Sequence, residues 1–291
     1  MKKTIRIGLD SGPLAGWRAR YTQQQLQSAG LASEFVSLGH TLPGVGDDAM
    51  ARPAWEALLR GDIDIAAQFM EQLPARQQEG VAITAVSRRE NPALCLLIRV
   101  ESRAEGLLFR LKEKGVVSVA TSLHQVQLQR FRPDLSFVPF GAGDDGGVAA
   151  FLQGGPADAA LVPAAMITRA EIALPGVEAV PFNPRELVPA PGQGVLAWLA
   201  CADDKATRRI FKALHHPEVS ACTNVERSIL RLSAEAGLMA PGAYCERDAA
   251  GYYHTWAFWP GKQEGQSRRL SRSQSTSHLL AEGMVKEAGE R

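Results

Sequence analysis

The sequence predicts an α/β protein made of two sheet lobes and a smaller α+β domain. Three observations predict it. Short strand-like runs take turns with helical apolar stripes in the N-terminal third, the alternation starts afresh near Val116, and beyond Pro217 it gives way to one long helix and aromatic strands. A chain of 291 residues, 45% hydrophobic and 22% charged, has the length for two or three domains with real cores.

In order, residues 3–9 alternate apolar and polar, Ser11-Gly12-Pro13 breaks the run, and 14–29 carry a helical stripe ending at Gly30. A strand at 34–38, a helix at 53–60 stopped by Gly61 and a strand at 63–67 follow. Then come a polar loop at 68–80 and strands around 83–86 and 94–100. The second round reads strand 116–120, helix 123–131, strand 135–140, helix 148–153 and strand 159–162. Such alternation argues for largely parallel sheets.

The chain then passes through Leu187-Val188-Pro189-Ala190-Pro191-Gly192-Gln193-Gly194. Two prolines stiffen the approach and two glycines flank one amide, so the segment reads as a rigid crossing that presents Gln193 at a cleft. The apolar run 195–199 has the pattern of a buried strand. The last part reads as a long helix at 220–236, aromatic strands around 252–259, a Ser/Arg-rich stretch and a helix at 277–287.

Net charge is +1, which gives no electrostatic reason to expect nucleic acid. The basic start Met1-Lys2-Lys3-Thr4 runs straight into a strand without an apolar signal core, and no window is long enough to span a bilayer. A cytoplasmic protein with no membrane partner is expected. The four cysteines, Cys95, Cys201, Cys222 and Cys245, form no metal or Cys-x-x-Cys spacing, so reduced structural thiols and no metal site are expected. Gly141-Ala142-Gly143-Asp144-Asp145-Gly146 matches a dinucleotide fingerprint formally, but its two aspartates would repel a pyrophosphate. His215-His216 reads as a capping or surface pair, Arg268, Arg269 and Arg272 as a solvated strand or loop, and Trp256, Phe258 and Trp259 as core.

Pro189-Ala190-Pro191-Gly192-Gln193-Gly194-Val195 closely resembles the Pro-Ala-x-Gly-Gln-Gly-Ala signature of the porphobilinogen deaminase (hydroxymethylbilane synthase) family. Ile5-Arg6-Ile7-Gly8, Pro13-Leu14-Ala15, Asp64-Ile65-Ala66, Arg89-Glu90-Asn91-Pro92, Arg132-Pro133-Asp134-Leu135, Asp158-Ala159-Ala160-Leu161, Glu226-Arg227 and Gly242-Ala243-Tyr244 keep the family's order across nearly the whole chain. The resemblance implies three domains. A first periplasmic-binding-protein-like lobe spans 1–96 and 193–213, a second lobe 97–192 and a small α+β domain 214–291.

The resemblance also implies a test. Family members build a linear tetrapyrrole from porphobilinogen on a dipyrromethane cofactor held by a cysteine thioether, with a carboxylate for the pyrrole nitrogens and arginines for the acid arms. The His-Ser-x-Lys-Asp-x-Pro loop matches Gln68-Phe69-Met70-Glu71-Gln72-Leu73-Pro74, which puts Gln72 at the catalytic aspartate and Glu71 at the neighbouring lysine. The cofactor loop matches 236–242, which puts Gly237 at the anchoring cysteine, with Cys245 as the nearest substitute. Asp10 stands where the family has arginine, Thr121-Ser122-Leu123-His124-Gln125 replaces Ser-Ser-Leu-Arg-Arg, and Phe140 falls at another arginine.

The expected cleft therefore combines Asp10, Phe69, Thr121, Ser122, Phe140, Arg169 and Gln193. The reading is a family-like protein of tetrapyrrole metabolism, a pseudoenzyme with no bound cofactor, working beside an active pathway enzyme. A small-molecule binding module using the cleft between the lobes, and an active hydroxymethylbilane synthase using Glu71 and Cys245, are the alternatives.

Overall fold

The computed structural model describes residues 4–10, 14–39, 51–140, 146–261, 263 and 265–290. The expected break at 11–13 and nearly all of the glycine fingerprint, residues 141–145, lie outside the described residues. The chain divides into two compact units, residues 1–90 with 194–221 and residues 91–193 with 222–291.

The first unit carries β1 (Ile5–Leu9), α1 (Ala15–Ser28), β2 (Ser33–Ser37), α2 (Arg52–Arg60), β3 (Ile65–Phe69) and β4 (Val81–Val86). The second unit opens with β5 (Leu94–Arg99), β6 (Val116–Val119), α3 (Ser122–Phe131), β7 (Ser136–Pro139), α4 (Gly146–Leu152), β8 (Ala159–Pro163), α5 (Ala164–Arg169) and β9 (Val177–Pro181). The chain then supplies the first unit with β10 (Leu196–Cys201) and α6 (Lys205–Lys212). It passes along α7 (Pro217–Glu235) into β11 (Gly242–Arg247), β12 (Tyr253–Trp259), β13 (Arg268–Gln274) and α8 (Leu280–Gly289) of the second unit.

The sheet of the first unit has the order β2-β1-β3-β10-β4, and the second unit holds one sheet of order β7-β6-β8-β5-β9 and another of order β11-β12-β13. The strand at 94–99 belongs entirely to the second unit, so the boundary read at residue 96 falls inside it.

The expectation of largely parallel sheets is corrected. Pairs β1–β2, β1–β3, β6–β7 and β6–β8 are parallel, whereas β10 runs antiparallel to β3 and β4, and β5 antiparallel to β8 and β9. Parallel neighbours require a crossover connection, and only the β-α-β stretches supply one. Strand β10 arrives from a distant part of the chain and is under no such constraint.

One device recurs in the two five-stranded sheets. Asp64, at the head of β3, accepts a hydrogen bond from the Arg6 backbone N–H at 2.9 Å and pairs with its guanidinium at 2.9 Å, fixing β1 to β3. Asp158, at the head of β8, accepts from the Val116 N–H at 2.9 Å and from Ser102 Oγ at 2.6 Å, fixing β6 to β8. A carboxylate that takes backbone donors at a strand end fixes register as well as charge.

Residues 196–200 of β10 are all buried, as the apolar run predicts, and Trp198 Nε1 donates to Thr22 Oγ1 at 2.9 Å. Each such fully buried large side chain contributes about 1.5–3 kcal/mol. Pro53 at the first turn of α2 and left-handed Gly61 at its end bound that helix as expected. The Ser/Arg-rich stretch forms β13, with alternating exposure. The short elements α5, α6 and β9 were not anticipated, because segments of five to eight residues give too few periods to read.

His215 differs from its sequence reading as well. Its Nδ1 accepts from the Val86 N–H at 3.3 Å, and burial lowers its pKa, so it ties the end of β4 to the chain after α6. Trp259 and Phe258 are core, while Trp256 is half-buried beneath the Arg185 guanidinium, 5.1 Å from the ring centre. Among the described residues no helix is long and apolar enough to cross a membrane, and no three His, Cys, Asp or Glu side chains gather as a metal site.

Candidate functional site

The site residues of the first unit gather where β1 and β3 end. Asp10 follows β1, and both of its carboxylate oxygens lie 2.6 Å from Arg18 Nη2. The Arg18 side chain is 6% exposed and that of Asp10 27%. The guanidinium lies over the Phe69 ring, 5.0 Å from its centre, and Phe69 is itself buried beside Trp17.

Arg18 is held from behind as well. Thr22 Oγ1 donates to the Arg18 carbonyl at 2.8 Å and accepts from Trp198, which joins an aromatic run of Trp17, Tyr21, Trp198 and Phe211. An arginine stacked on a ring and forked onto a carboxylate is both oriented and charge-neutralised.

Glu71 and Gln72 sit in the single 3₁₀ turn after β3 and are half-buried. Gln72 lines a cavity of about 10 Å³ together with Asp10, Arg18, Ala51, Gln68 and Leu73. That space holds one water at most. Gln68 is 6% exposed, and its Oε1 has no hydrogen-bond partner among the described residues. The surroundings of Gln72 are therefore polar and dominated by the Asp10–Arg18 pair. Phe69, expected to line a cleft, is core instead, because the guanidinium covers its face.

Arg18→Gln is expected to lower stability by about 2 kcal/mol through loss of the fork and the stacking. With Asp10→Asn in the same chain, part of that loss should return, since no unpaired carboxylate is left. Urea midpoints of the two single variants and the double variant measure the coupling. Strict additivity would mean that the pair contributes nothing.

In the second unit Thr121 caps α3, its Oγ1 accepting from the His124 N–H at 3.4 Å, and both Thr121 and Ser122 are exposed. His124, one helical turn on, is 6% exposed with neither ring nitrogen hydrogen-bonded among the described residues. Burial pushes its pKa down to about 4. Phe140 is half-buried after β7, with its N–H donating to the Val119 carbonyl, and Arg169 is buried at the end of α5.

Gln193 corrects the sequence reading most directly. It is 1% exposed, and Nε2 donates to the carbonyls of Pro92 at 2.7 Å and Ala93 at 3.2 Å. A buried amide must find partners, and these fix it inside the second unit rather than at an open surface. Gly192 and Gly194 flank it with φ values of 82° and 81°, which explains two glycines around one amide.

The same stretch is clamped by Glu226 of α7. Its Oε2 accepts from the Gly192 N–H at 2.7 Å, and its Oε1 accepts from the Cys245 N–H at 2.7 Å. Gly242 packs so closely on this stretch that a Cβ would stand 2.7 Å from the Val188 carbonyl oxygen.

Gly237 ends α7. Its φ is 68°, its N–H donates to the Ala234 carbonyl, and the Leu238 N–H reaches the Ser233 carbonyl at 2.9 Å. This is a left-handed helix cap, for which glycine is the favoured residue. Gly237 is exposed and carries no group that can bond a cofactor. Cys245, the nearest thiol in sequence, is 2% exposed within β11 and receives a hydrogen bond from Thr255 Oγ1 at 3.2 Å. Contact with Cys222, together with burial, pushes its pKa upward, so the reactive thiolate is suppressed.

Sequence reasoning missed Arg18, His124 and the clamping role of Glu226. A signal existed for the first: Arg18, Thr22 and Leu26 stand four apart on one buried face of α1, and a cation on an apolar stripe needs an anion.

The family model described as "Porphobilinogen deaminase, dipyromethane cofactor binding domain" matches residues 5–209. The chain is 31% identical to porphobilinogen deaminase of Chloroherpeton thalassium, with 97% of this chain and 91% of that one covered. It is 25% identical to the same enzyme of Streptococcus sanguinis, over 99% and 96% of the two chains. An ABC transporter structure from Parabacteroides distasonis aligns at 15% identity with a TM-score of 0.45, over 80% and 78% of the chains.

Proposed function

The chain belongs to the porphobilinogen deaminase family of tetrapyrrole biosynthesis, and from this premise we propose that it serves that metabolism without polymerising porphobilinogen on an anchored dipyrromethane. The observation that carries the proposal is the Asp10–Arg18 pair beside Gln72. A carboxylate at position 72 would stabilise a pyrrolic cation, whereas an amide carries no charge for it. Here the charged groups lining that cavity with Gln72 are Asp10 and Arg18, and both carboxylate oxygens are taken up by Arg18 Nη2. A cationic intermediate would find that carboxylate already neutralised by Arg18.

Residues at the anchoring position agree with this reading. Gly237 offers no sulfur, its backbone serves as a helix cap, and the Cys245 thiol is buried and held protonated. These residues do not fit a thioether-bound dipyrromethane.

The role we assign is that of a cytoplasmic partner of an active enzyme of the pathway, with the unusual positions given over to stability. Intact mass of the denatured protein, measured before and after incubation with porphobilinogen, tests the loss of chemistry. An unchanged mass is expected, with Cys245 resisting iodoacetamide until the chain is unfolded. A stable gain corresponding to pyrrole units would overturn the reading and favour an active synthase that uses Glu71 and Cys245. Co-purification with an active porphobilinogen deaminase tests the partnership, and elution as a free chain at micromolar concentrations of both would remove it.

A further inference from the structure

A second cavity, of about 300 Å³, lies within the second unit at the seam between α3 and the three-stranded sheet. Gln127, Arg130 and Phe131 of α3, Phe258 of β12, Arg269 of β13 and Glu186 line it. Its walls are rigid. The Gln127 amide donates to the Val188 carbonyl at 2.9 Å and accepts from the Val188 N–H at 2.7 Å, while Phe258 is 1% exposed and packs with Leu123 and Val188.

The basic residues of this region divide into those already neutralised and those that are not. Arg132 is consumed by Asp134 and by the carbonyls of Leu108, Leu111 and Lys112, and Arg185 by Glu246 and the face of Trp256. Arg130 meets no carboxylate among the described residues and is stacked over the Phe258 ring at 5.5 Å. Arg269 is steadied by a hydrogen bond from Nη2 to the Arg185 carbonyl, which engages only part of its fork. Arg130, oriented by the Phe258 ring, and Arg269, with part of its fork unengaged, form a receptor for a carboxylate beside the exposed Phe131.

We propose that this cavity binds a small aromatic monocarboxylate. The carboxylate pairs with Arg130 and Arg269, and the ring lies against the exposed face of Phe131. The single negative wall decides the charge number. Glu186 leaves the lining residues with a net charge of one positive unit, so a second carboxylate on the ligand meets repulsion. The cavity matches a ligand of one or two fused rings in size. Nothing in this inference depends on the chemistry around Gln72, and it holds whether or not the protein polymerises porphobilinogen.

The test is a saturation-transfer NMR titration of the full chain with indole-3-acetate, and with isophthalate as the dianionic control. Indole-3-acetate should bind with a dissociation constant on the order of 1 mM, as befits a small ligand at a half-open site. Arg130→Gln and Arg269→Gln should each weaken it about tenfold. Glu186→Gln should strengthen isophthalate about fivefold while changing indole-3-acetate little.

All three side chains are exposed, and unchanged melting temperatures would show that the variants fold. Should Arg130→Gln lower the melting temperature by removing its stacking, Arg269→Gln decides alone. The proposal is overturned by absence of binding at 10 mM probe, by equal binding to wild type and the Arg269→Gln variant, or by isophthalate binding tighter than indole-3-acetate in the wild type.

Discussion

Replacing Glu226 with alanine should cost about 3–5 kcal/mol of stability. Its carboxylate is fully buried and takes one backbone N–H on each oxygen, both at 2.7 Å. Removal strands the N–H groups of Gly192 and Cys245 away from water, and each stranded donor costs about 1–3 kcal/mol. It also leaves a side-chain-sized gap between α7 and β11.

Glu226→Gln separates the contributions. The amide keeps one acceptor oxygen but turns an NH₂ group toward the other N–H, so donor faces donor. About half of the alanine loss is expected from it. Urea unfolding of the full chain reports both numbers, and a glutamine variant as stable as wild type would show that the clamp is not charge-assisted. The fall should exceed that of Arg18→Gln, because Asp10 is 27% exposed and Glu226 is not exposed at all.

The contrast between these two carboxylates shows where the sequence is legible. Most of the strands and the glycine stops were readable because periodicity and left-handed turns are local properties: the buried run 195–199 and the stop at Gly61 needed no partner to be recognised. The lobes' parallel pairs followed from helical crossovers, but the antiparallel insertion of β10 and β5 did not, since a returning strand carries no mark of its direction.

What each residue does was not identifiable, because a side chain's role depends on what the fold sets against it. Gln193 looked exposed for recognition and is a buried tie. Gly237 looked like a lost anchor and is a helix cap. Asp10 looked like a reversed charge facing a ligand, and Arg18 had already answered it.

The second large effect concerns acid. His124 is buried, its ring nitrogens have no hydrogen-bond partner among the described residues, and burial lowers its pKa from 6.5 to about 4. Between those values the unfolded chain holds a proton on this histidine and the folded chain does not. The neutral form's contribution is therefore complete above about pH 6.5 and is lost as the pH falls toward 4. At about 1.4 kcal/mol per pKa unit the loss is about 3 kcal/mol. His215 and His216 have pKa values lowered in the same direction by burial, so the histidine part of the wild-type acid limb sums three groups, and the lowered carboxylates Asp134 and Asp158 add to it at lower pH.

His124→Leu isolates one of them. It replaces an enclosed imidazole by an apolar group of similar bulk, which removes both unbonded nitrogens and the proton uptake together. At pH 7.5 the variant should be as stable as wild type or more so, and its advantage should grow by about 3 kcal/mol on going to pH 4.5. Urea midpoints at half-unit pH intervals measure this divergence. Parallel curves for the two proteins would mean that His124 reaches a hydrogen-bond partner or water in the folded state, and that the histidine part of the acid limb belongs to His215 and His216.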